Sequence, residues 1–423
     1  MATVEALSKQ INELKAKQVA GTLTQEEAAL LKELEQQFAE MREQASAEEL
    51  QQITEAAADT ANGLVSSPNI GFFAPVAGAL GLAAAGGGGG GGTVAATLGN
   101  SFSGQLVNGY IKDARVFQDN NGNGLFDAGE PTGTTDSSGR FALDGFISGG
   151  GEIVAQPTWT NSAGETVTAT DQTTGATVTT VFKAPAGSSV VSPLSTLVSA
   201  GATQDQIKQA FGLDDSIDLM SFDPIAAATA PGASAAEVQA ALNIKAASTS
   251  VSNILDVASE SLSSAGVSAA NATQAAANVI TSKLTTPGFS LADATVVEDT
   301  LVSIINESGA TIDSDVAASL SSSLGTKIAA ANASTFTAAS SGDSDALQQI
   351  YKAAKTAQVG LAESATTVLE ADDPSAALSD LDQFDVDAEI ASASVPNNNA
   401  FGGLDFELEA SEYQIEFFEG ASG

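Results

Sequence analysis

The stretch DNNGNGLFDAGE, Asp119 to Glu130, places oxygen-bearing side chains at alternate positions and closes on an acid. Asp119, Asn121 and Asn123 fall at loop positions 1, 3 and 5, Gly124 at 6, Leu125 at 7, Asp127 at 9 and Glu130 at 12. This matches the D-x-[DN]-x-[DN]-G-x5-E pattern of a calcium loop. The spacing has a physical reason. Calcium takes six to eight hard oxygen ligands, and alternate residues of a curled loop turn their oxygens inward. Gly124 permits the sharp turn, the Leu125 carbonyl is a backbone ligand, and Glu130 closes the shell with two oxygens. Asp136, in TDSSGRF, is a further candidate ligand, with an Asx turn before Gly139 as its alternative; Asp113 is another, or else an exposed strand position. ARVF precedes the loop and Pro131 follows it, so the motif reads as strand–loop–strand and not as an EF-hand.

The rest of the composition limits what else the chain does. The chain has 423 residues, with 52 acids against 15 bases and a formal charge of −37. Phosphate binding needs a basic surface, so nucleic acid is excluded as a partner, and anionic membranes are disfavoured. Divalent cations are natural counter-ions for such a chain. Cysteine and histidine are absent, which removes disulfides, thiolate chemistry and the commonest general base. With one tryptophan and three tyrosines, an aromatic sugar platform is thin. No base or nucleophile accompanies the loop, so its calcium reads as structural and the chain as a non-enzyme.

The elements that hold the loop divide into five segments of a multidomain α+β chain. Residues 1–63 are helical and charged: Leu7, Ile11 and Leu14, then Leu30, Leu31, Leu34, Phe38 and Met41, recur at helical spacing. They read as a hairpin or short coiled coil, either self-packed or serving oligomerisation. Residues 64–93 join an apolar stretch, Ile70–Ala85, to seven glycines that read as a flexible linker. That stretch is short for a bilayer span; membrane contact, core packing and a role in secretion are its alternatives. The N-terminus lacks the apolar core of a signal peptide.

Residues 94–189 carry β-type runs (GQLVNGYI, ARVFQD, RFALDGF, GEIVAQPTW, ATVTTVF) between Gly-, Asn- and Asp-rich turns, and predict a small β-sandwich. Residues 190–370 are Ala/Ser-rich with helical stripes, including Val238, Leu242, Val251, Ile254, Leu255, Ala258 and Leu262, and predict a helical bundle. Residues 371–423 form an acidic tail; no Lys or Arg follows Lys355. Within it, 404–417 alternates apolar and polar residues, as in an amphipathic strand with no local partner.

Gly104 to about Ala228 resembles a module of large secreted, calcium-binding bacterial surface proteins. The resemblance rests on ARVFQDNNGNGLFDAGEPTGTTDSSGRFAL, ATDQTTGATV, FKAPAGSSVVSPLSTLV and FGLDDSIDLMSFDPIAA. The first part is similar to prealbumin-like sandwiches of bacterial adhesins. That likeness implies calcium at Asp119, Asn121, Asn123, Asp127 and Glu130, with Asp136 as an added ligand. The acidic, base-free C-terminus and GALGLAAAGGGGGGG look like features of type I secretion substrates and biofilm-associated adhesins, though the chain is short and lacks glycine–aspartate nonapeptide repeats.

Together these readings predict a secreted structural protein at the bacterial cell surface. It folds when it meets Ca2+ and assembles with itself into a layer, filament or biofilm matrix, by strand addition through 404–417. The alternatives are a calcium-dependent adhesin for a glycan or host surface and, behind it, a carboxylate-based glycosidase.

Overall fold

The computed structural model describes residues 101–395. The expected N-terminal helical pair, the apolar and glycine segment and the strand at 404–417 lie outside the described residues. What is described is mixed α and β, with the strands first and the helices after them.

Alternating burial marks the strands best where a turn fixes each end. In β5 (Arg140–Asp144) Phe141 and Leu143 point inward between exposed neighbours. β5 pairs antiparallel with β1 (Ser101–Leu106), and β11 (Val190–Val191) runs parallel on the other side of β1. A second sheet has the order β10 (Phe182–Ala184), β6 (Glu152–Gln156), β3 (Arg115–Asp119), β4 (Thr132–Thr134). Two short ladders join β2 (Ile111–Lys112) to β9 (Thr170–Asp171), and β7 (Thr158–Thr160) to β8 (Thr166–Thr168). β4 lies hard against β5: a Cβ on Gly133 would sit 2.2 Å from the Ala142 carbonyl oxygen, so only glycine fits there.

Three of the expected strands are broken, and one of them, GEIVAQPTW, simply divides at Pro157 into β6 and β7. GQLVNGYI turns at Val107–Tyr110, where Asp171 accepts a hydrogen bond from the Gly109 amide and holds the turn. ATVTTVF contributes only Phe182 to a strand. Its threonines serve other ends: Thr177 makes a single bridge to Thr170, and the Thr180 hydroxyl donates to buried Asp256.

Helices begin where polar caps precede apolar stripes. α1 (Pro193–Ser199) and α2 (Gln204–Phe211) open on capping boxes, Ser192 with Ser195 and Thr203 with Gln206. α3 (Pro224–Thr229) leads into α4 (Ala235–Ser264), a 30-residue helix. Then follow α5 (Ala269–Lys283), α6 (Ala294–Ser308), α7 (Ser314–Ser341) and α8 (Ala346–Lys355). A π turn at Thr356–Leu361 passes α8 on to α9 (Ala362–Glu370). Small residues let these helices close up. A Cβ on Gly325 of α7 would lie 2.9 Å from the Glu298 backbone of α6.

The boundary expected at 189/190 does not separate two cores. One buried apolar cluster runs from Leu106 and Val116 in the strands to Leu255 and Val368 in the helices, within the compact unit that begins at Gly99. Within the segment that reads as an acidic tail, 371–395 is largely helical. It forms α10 (Pro374–Gln383) and α11 (Val386–Ser392), whose caps are Asp373 and Asp385. Some of the acids that read as tail are therefore helix caps. Lys327 of α7 secures the junction by donating to the carbonyls of Asp382 and Phe384, each at 2.8 Å.

α4 is the centre of the unit. Every residue from Ile244 to Ser259 is buried, polar ones included. Lys245 lies there with its ammonium donating to Thr249 Oγ1 at 2.6 Å and standing 5.5 Å from the centre of the Tyr351 ring. Burial pushes its pKa down from 10.5 to about 8, against the fields of Asp171, Asp223 and Asp256. Between those two values the unfolded chain binds more protons at this site than the folded one, so stability rises with pH. Tyr110 and Tyr351, raised by burial above their ordinary 10, reverse the trend at higher pH, because they ionise first in the unfolded chain. Urea unfolding should therefore show stability climbing above pH 8 by at most about 1.4 kcal/mol per pH unit, then turning over near the tyrosine range. Lys245→Met should abolish the climb; a variant that keeps the same slope would show that Lys245 does not cause it.

Candidate metal centre

β3 delivers the loop. Its alternate residues Arg115, Phe117 and Asp119 share one face, and the chain leaves the sheet at Asp119 to return in β4. Asp119 is buried and caps the loop from within. Its Oδ1 accepts from the Gly122 amide at 2.7 Å and its Oδ2 from the Gly124 amide at 2.6 Å. Gly122 and Gly124 both have φ of +74°, the left-handed region that favours glycine. Asn121 Oδ1 accepts from the Asn123 amide at 3.0 Å and Asn123 Oδ1 from the Leu125 amide at 2.7 Å, two consecutive Asx turns.

The other ends of both Asn side chains meet one carboxylate. Asn121 Nδ2 and Asn123 Nδ2 donate to Asp127 Oδ2 at 2.6 and 2.7 Å. Glu130 spans the loop, accepting from the Asn120 amide at 2.9 Å and the Asp127 amide at 3.0 Å. Five of the expected ligand residues are thus drawn into one tight loop. Leu125, at the carbonyl position, leaves its side chain largely exposed. Among the described residues no group of three or more Asp, Glu, His or Cys side chains is disposed to hold a metal ion. The acids of this loop instead accept from its own amides.

The donor set nevertheless fits a hard cation. It consists of carboxylates, amide oxygens and a backbone carbonyl, without nitrogen or sulfur ligands. Rotating the two Asn amides would exchange their N–H donors for oxygens beside Asp127. A cation in the loop would take over the role those N–H groups play.

Asp136 does not join them. Its Oδ1 accepts from the Ser138 and Arg140 amides at 2.8 and 3.0 Å, the Asx turn before Gly139. The ladder explains why. β3 and β4 pair Phe117 with Thr132 and Arg115 with Thr134, which puts Asp136 past the opposite end of the strands. That is about 20 Å from Asp119 at ~3.3 Å per residue. Asp113 lies at that far end too. Its backbone has φ of +66°, its carboxylate pairs with Lys112 at 3.4 Å, and its carbonyl accepts from the Trp159 indole.

What anchors the loop is not visible in the ligand pattern. Phe126, at position 8, packs edge-on against Phe117 with centroids 5.7 Å apart. The Arg115 guanidinium lies between the rings of Phe126, at 4.6 Å, and Trp159, at 4.3 Å, and donates to the Thr160 carbonyl. A neighbouring turn braces the loop's first residues: the Gly151 amide donates to Asn120 Oδ1, and a Cβ at Gly151 would collide with the Asp119 carbonyl oxygen at 1.5 Å. The strand alternation of Arg115 with Phe117 was the available signal for this clamp; the partner rings come from distant sequence.

Comparison of the chain with protein-family models, with curated proteins and with solved structures finds no match.

Trp159 is the chain's only tryptophan, so its emission reports on the clamp. Calcium addition should change that emission and saturate. Asp119→Ala and Glu130→Ala should abolish the response, and Asp136→Ala should keep it. Phe126→Ala should weaken calcium binding about tenfold, from one aromatic pair and one cation–π contact at about 0.5–1 kcal/mol each. Loss of the response in Asp136→Ala alone would place the metal elsewhere.

Proposed function

We propose that this chain is a secreted structural protein, stabilised by calcium in the Asp119–Glu130 loop, that assembles with copies of itself on or outside a bacterial cell. The observation that carries the reading is the loop itself. Asp119, Asn121, Asn123, Asp127 and Glu130 are gathered by hydrogen bonds of 2.6 to 3.0 Å, in the register a calcium loop requires. In finer terms, the strands of 94–189 are a calcium-clasped sandwich and the helices of 190–370 are a bundle fused to it.

Two further features support this reading. The excess of 52 acids over 15 bases keeps the protein soluble, and divalent cations relieve its self-repulsion. The β7–β8 ladder has no third strand among the described residues, which leaves an edge for strand addition. The amphipathic segment 404–417 of a neighbouring copy is the proposed partner for that edge. The glycan-binding alternative is less well supported, because Trp159 already gives a ring face to Arg115.

The test is thermal melting and particle size of the full chain in calcium and in EGTA. Binding only to the folded state adds about 2.7 kcal/mol when calcium is a hundredfold above its Kd. Calcium should raise Tm and increase particle size, and removing 404–417 should stop growth while leaving the Tm shift intact. Identical melting and size in the two conditions would refute the reading.

A further inference from the structure

A small polar cavity lies where the strands meet α4. Asn108, Asp171 and the 176–179 segment form its wall on the strand side, Asp256 and Glu260 its wall on α4, and Gln358 of the π turn faces them. It has room for about one water-sized body.

The most deeply buried side chains of the wall carry acceptors without full partners. Asn108 is 3% exposed, and its Oδ1 receives no hydrogen bond from the described residues. Asp171 is 2% exposed. Its Oδ1 accepts from the Thr173 amide and hydroxyl and from the Thr174 amide, while among the described residues Oδ2 accepts from the Gly109 amide alone, at 2.9 Å. Asp256 Oδ2 accepts from the Ser252 hydroxyl at 2.6 Å and Oδ1 from the Thr180 hydroxyl. Each carboxylate oxygen has two lone pairs, so Asp171 Oδ2 and both Asp256 oxygens keep acceptor capacity. Gln358 gives one of its two Nε2 hydrogens to Asn253 Oδ1 at 3.1 Å. The nearby buried cation, Lys245, directs its ammonium to Thr249 and Tyr351 instead. The buried part of the wall therefore offers acceptors in surplus, with Asp171 and Asp256 as its acids. A buried amide oxygen without a donor is rare in native proteins and calls for a partner.

We propose that Asn108 Oδ1, Asp171 and Asp256, with Glu260 at the mouth, hold a hard, oxygen-ligated cation of about water size. Because no three acidic side chains close on one point, direct ligation comes from at most two carboxylates plus the amide oxygen. The cavity leaves no room for the ion's own water, so the occupant is a bare cation such as sodium or calcium. The site is independent of the Asp119–Glu130 loop. It joins strand-side residues to the central helix, so occupancy would tie the two together.

Melting of the full chain separates the sources. In EGTA, Tm is compared in sodium, potassium and N-methylglucamine chlorides at equal ionic strength. In a chain carrying Asp127→Ala and Glu130→Ala, calcium is then titrated against a fixed salt background. A cation in the cavity makes Tm climb with the logarithm of its concentration in one of these arms, beyond the N-methylglucamine control. Asn108→Leu and the near-isosteric Asp256→Asn should each reduce that climb, with folding checked by circular dichroism. Equal Tm in every arm would mean that the cavity holds water alone and would overturn the proposal. So would a climb that persists unchanged in both variants.

Discussion

The described unit depends on a helix whose middle has no solvent face. From Ile244 to Ser259 α4 is buried throughout, yet it carries Lys245, Asn253 and Asp256. Inside a protein each such group must find a partner or cost free energy. Those partners fix the position of the surrounding elements. Thr180, just ahead of β10, reaches Asp256. Asn253 donates to Asn332 of α7 at 2.8 Å and accepts from Gln358 of the π turn, while Asn332 donates onward to the Leu291 carbonyl at 2.7 Å. Apolar packing alone would let these elements slide by small amounts. A chain of amide bonds at specified distances does not.

The Asp119–Glu130 loop draws on the same arrangement. Phe126 rests on Phe117, and Phe117 packs with Val154 and Val181 in a cluster that also touches Ala270. Val181 is next to Thr180, and Ala270 lies in the first turn of α5. The Thr273 hydroxyl in the following turn accepts from the Val181 amide at 3.4 Å. Ordering the loop therefore presses on residues that hold the strands against the helices. A clasp at one end of a sheet in this way bears on packing well beyond its own turn. Through these contacts the loop is part of the unit's packing.

How much of this could be read from the sequence follows from which interactions are local. The loop register was legible because alternate residues of one short turn make it. The cap at Thr203 with Gln206 was legible for the same reason. Asp136 shows the limit: an acid before Ser-Ser-Gly has the same local signature whether it binds metal or closes an Asx turn. Only the direction of the β3–β4 ladder separates the two. ATVTTVF has the β-branched content of a strand, but its threonines are recruited by α4 and the cavity wall. In 371–395 the density of acids suggested a tail, although Asp373 before Pro374 is also a helix start. The hidden charges of α4 were the hardest to see. Apolar residues at helical spacing imply one buried face, and Lys245 and Asp256 fall on what then looks like the wet side. The clue was KAASTSVSN, a run of small residues with nothing long enough to reach solvent except its lysine.

Small residues and excess acid have a joint consequence. Ala, Ser and Thr in the core let helices approach closely, but each buries less apolar area than Leu or Phe, so the apolar gain per residue is modest. Buried hydroxyls and carboxyls then supply specificity at a desolvation cost. Asp256 illustrates that cost, since burial pushes its pKa up to about 7 even with two hydroxyl donors. A fold made this way gains more from cations than a basic or apolar one would. Each bound ion offsets both local desolvation and the repulsion of a chain with a charge of −37. The calcium proposed for the loop at Asp119–Glu130 and the cation proposed for the cavity at Asp171–Asp256 would thus serve one end, drawing stability from the ionic composition of the surroundings.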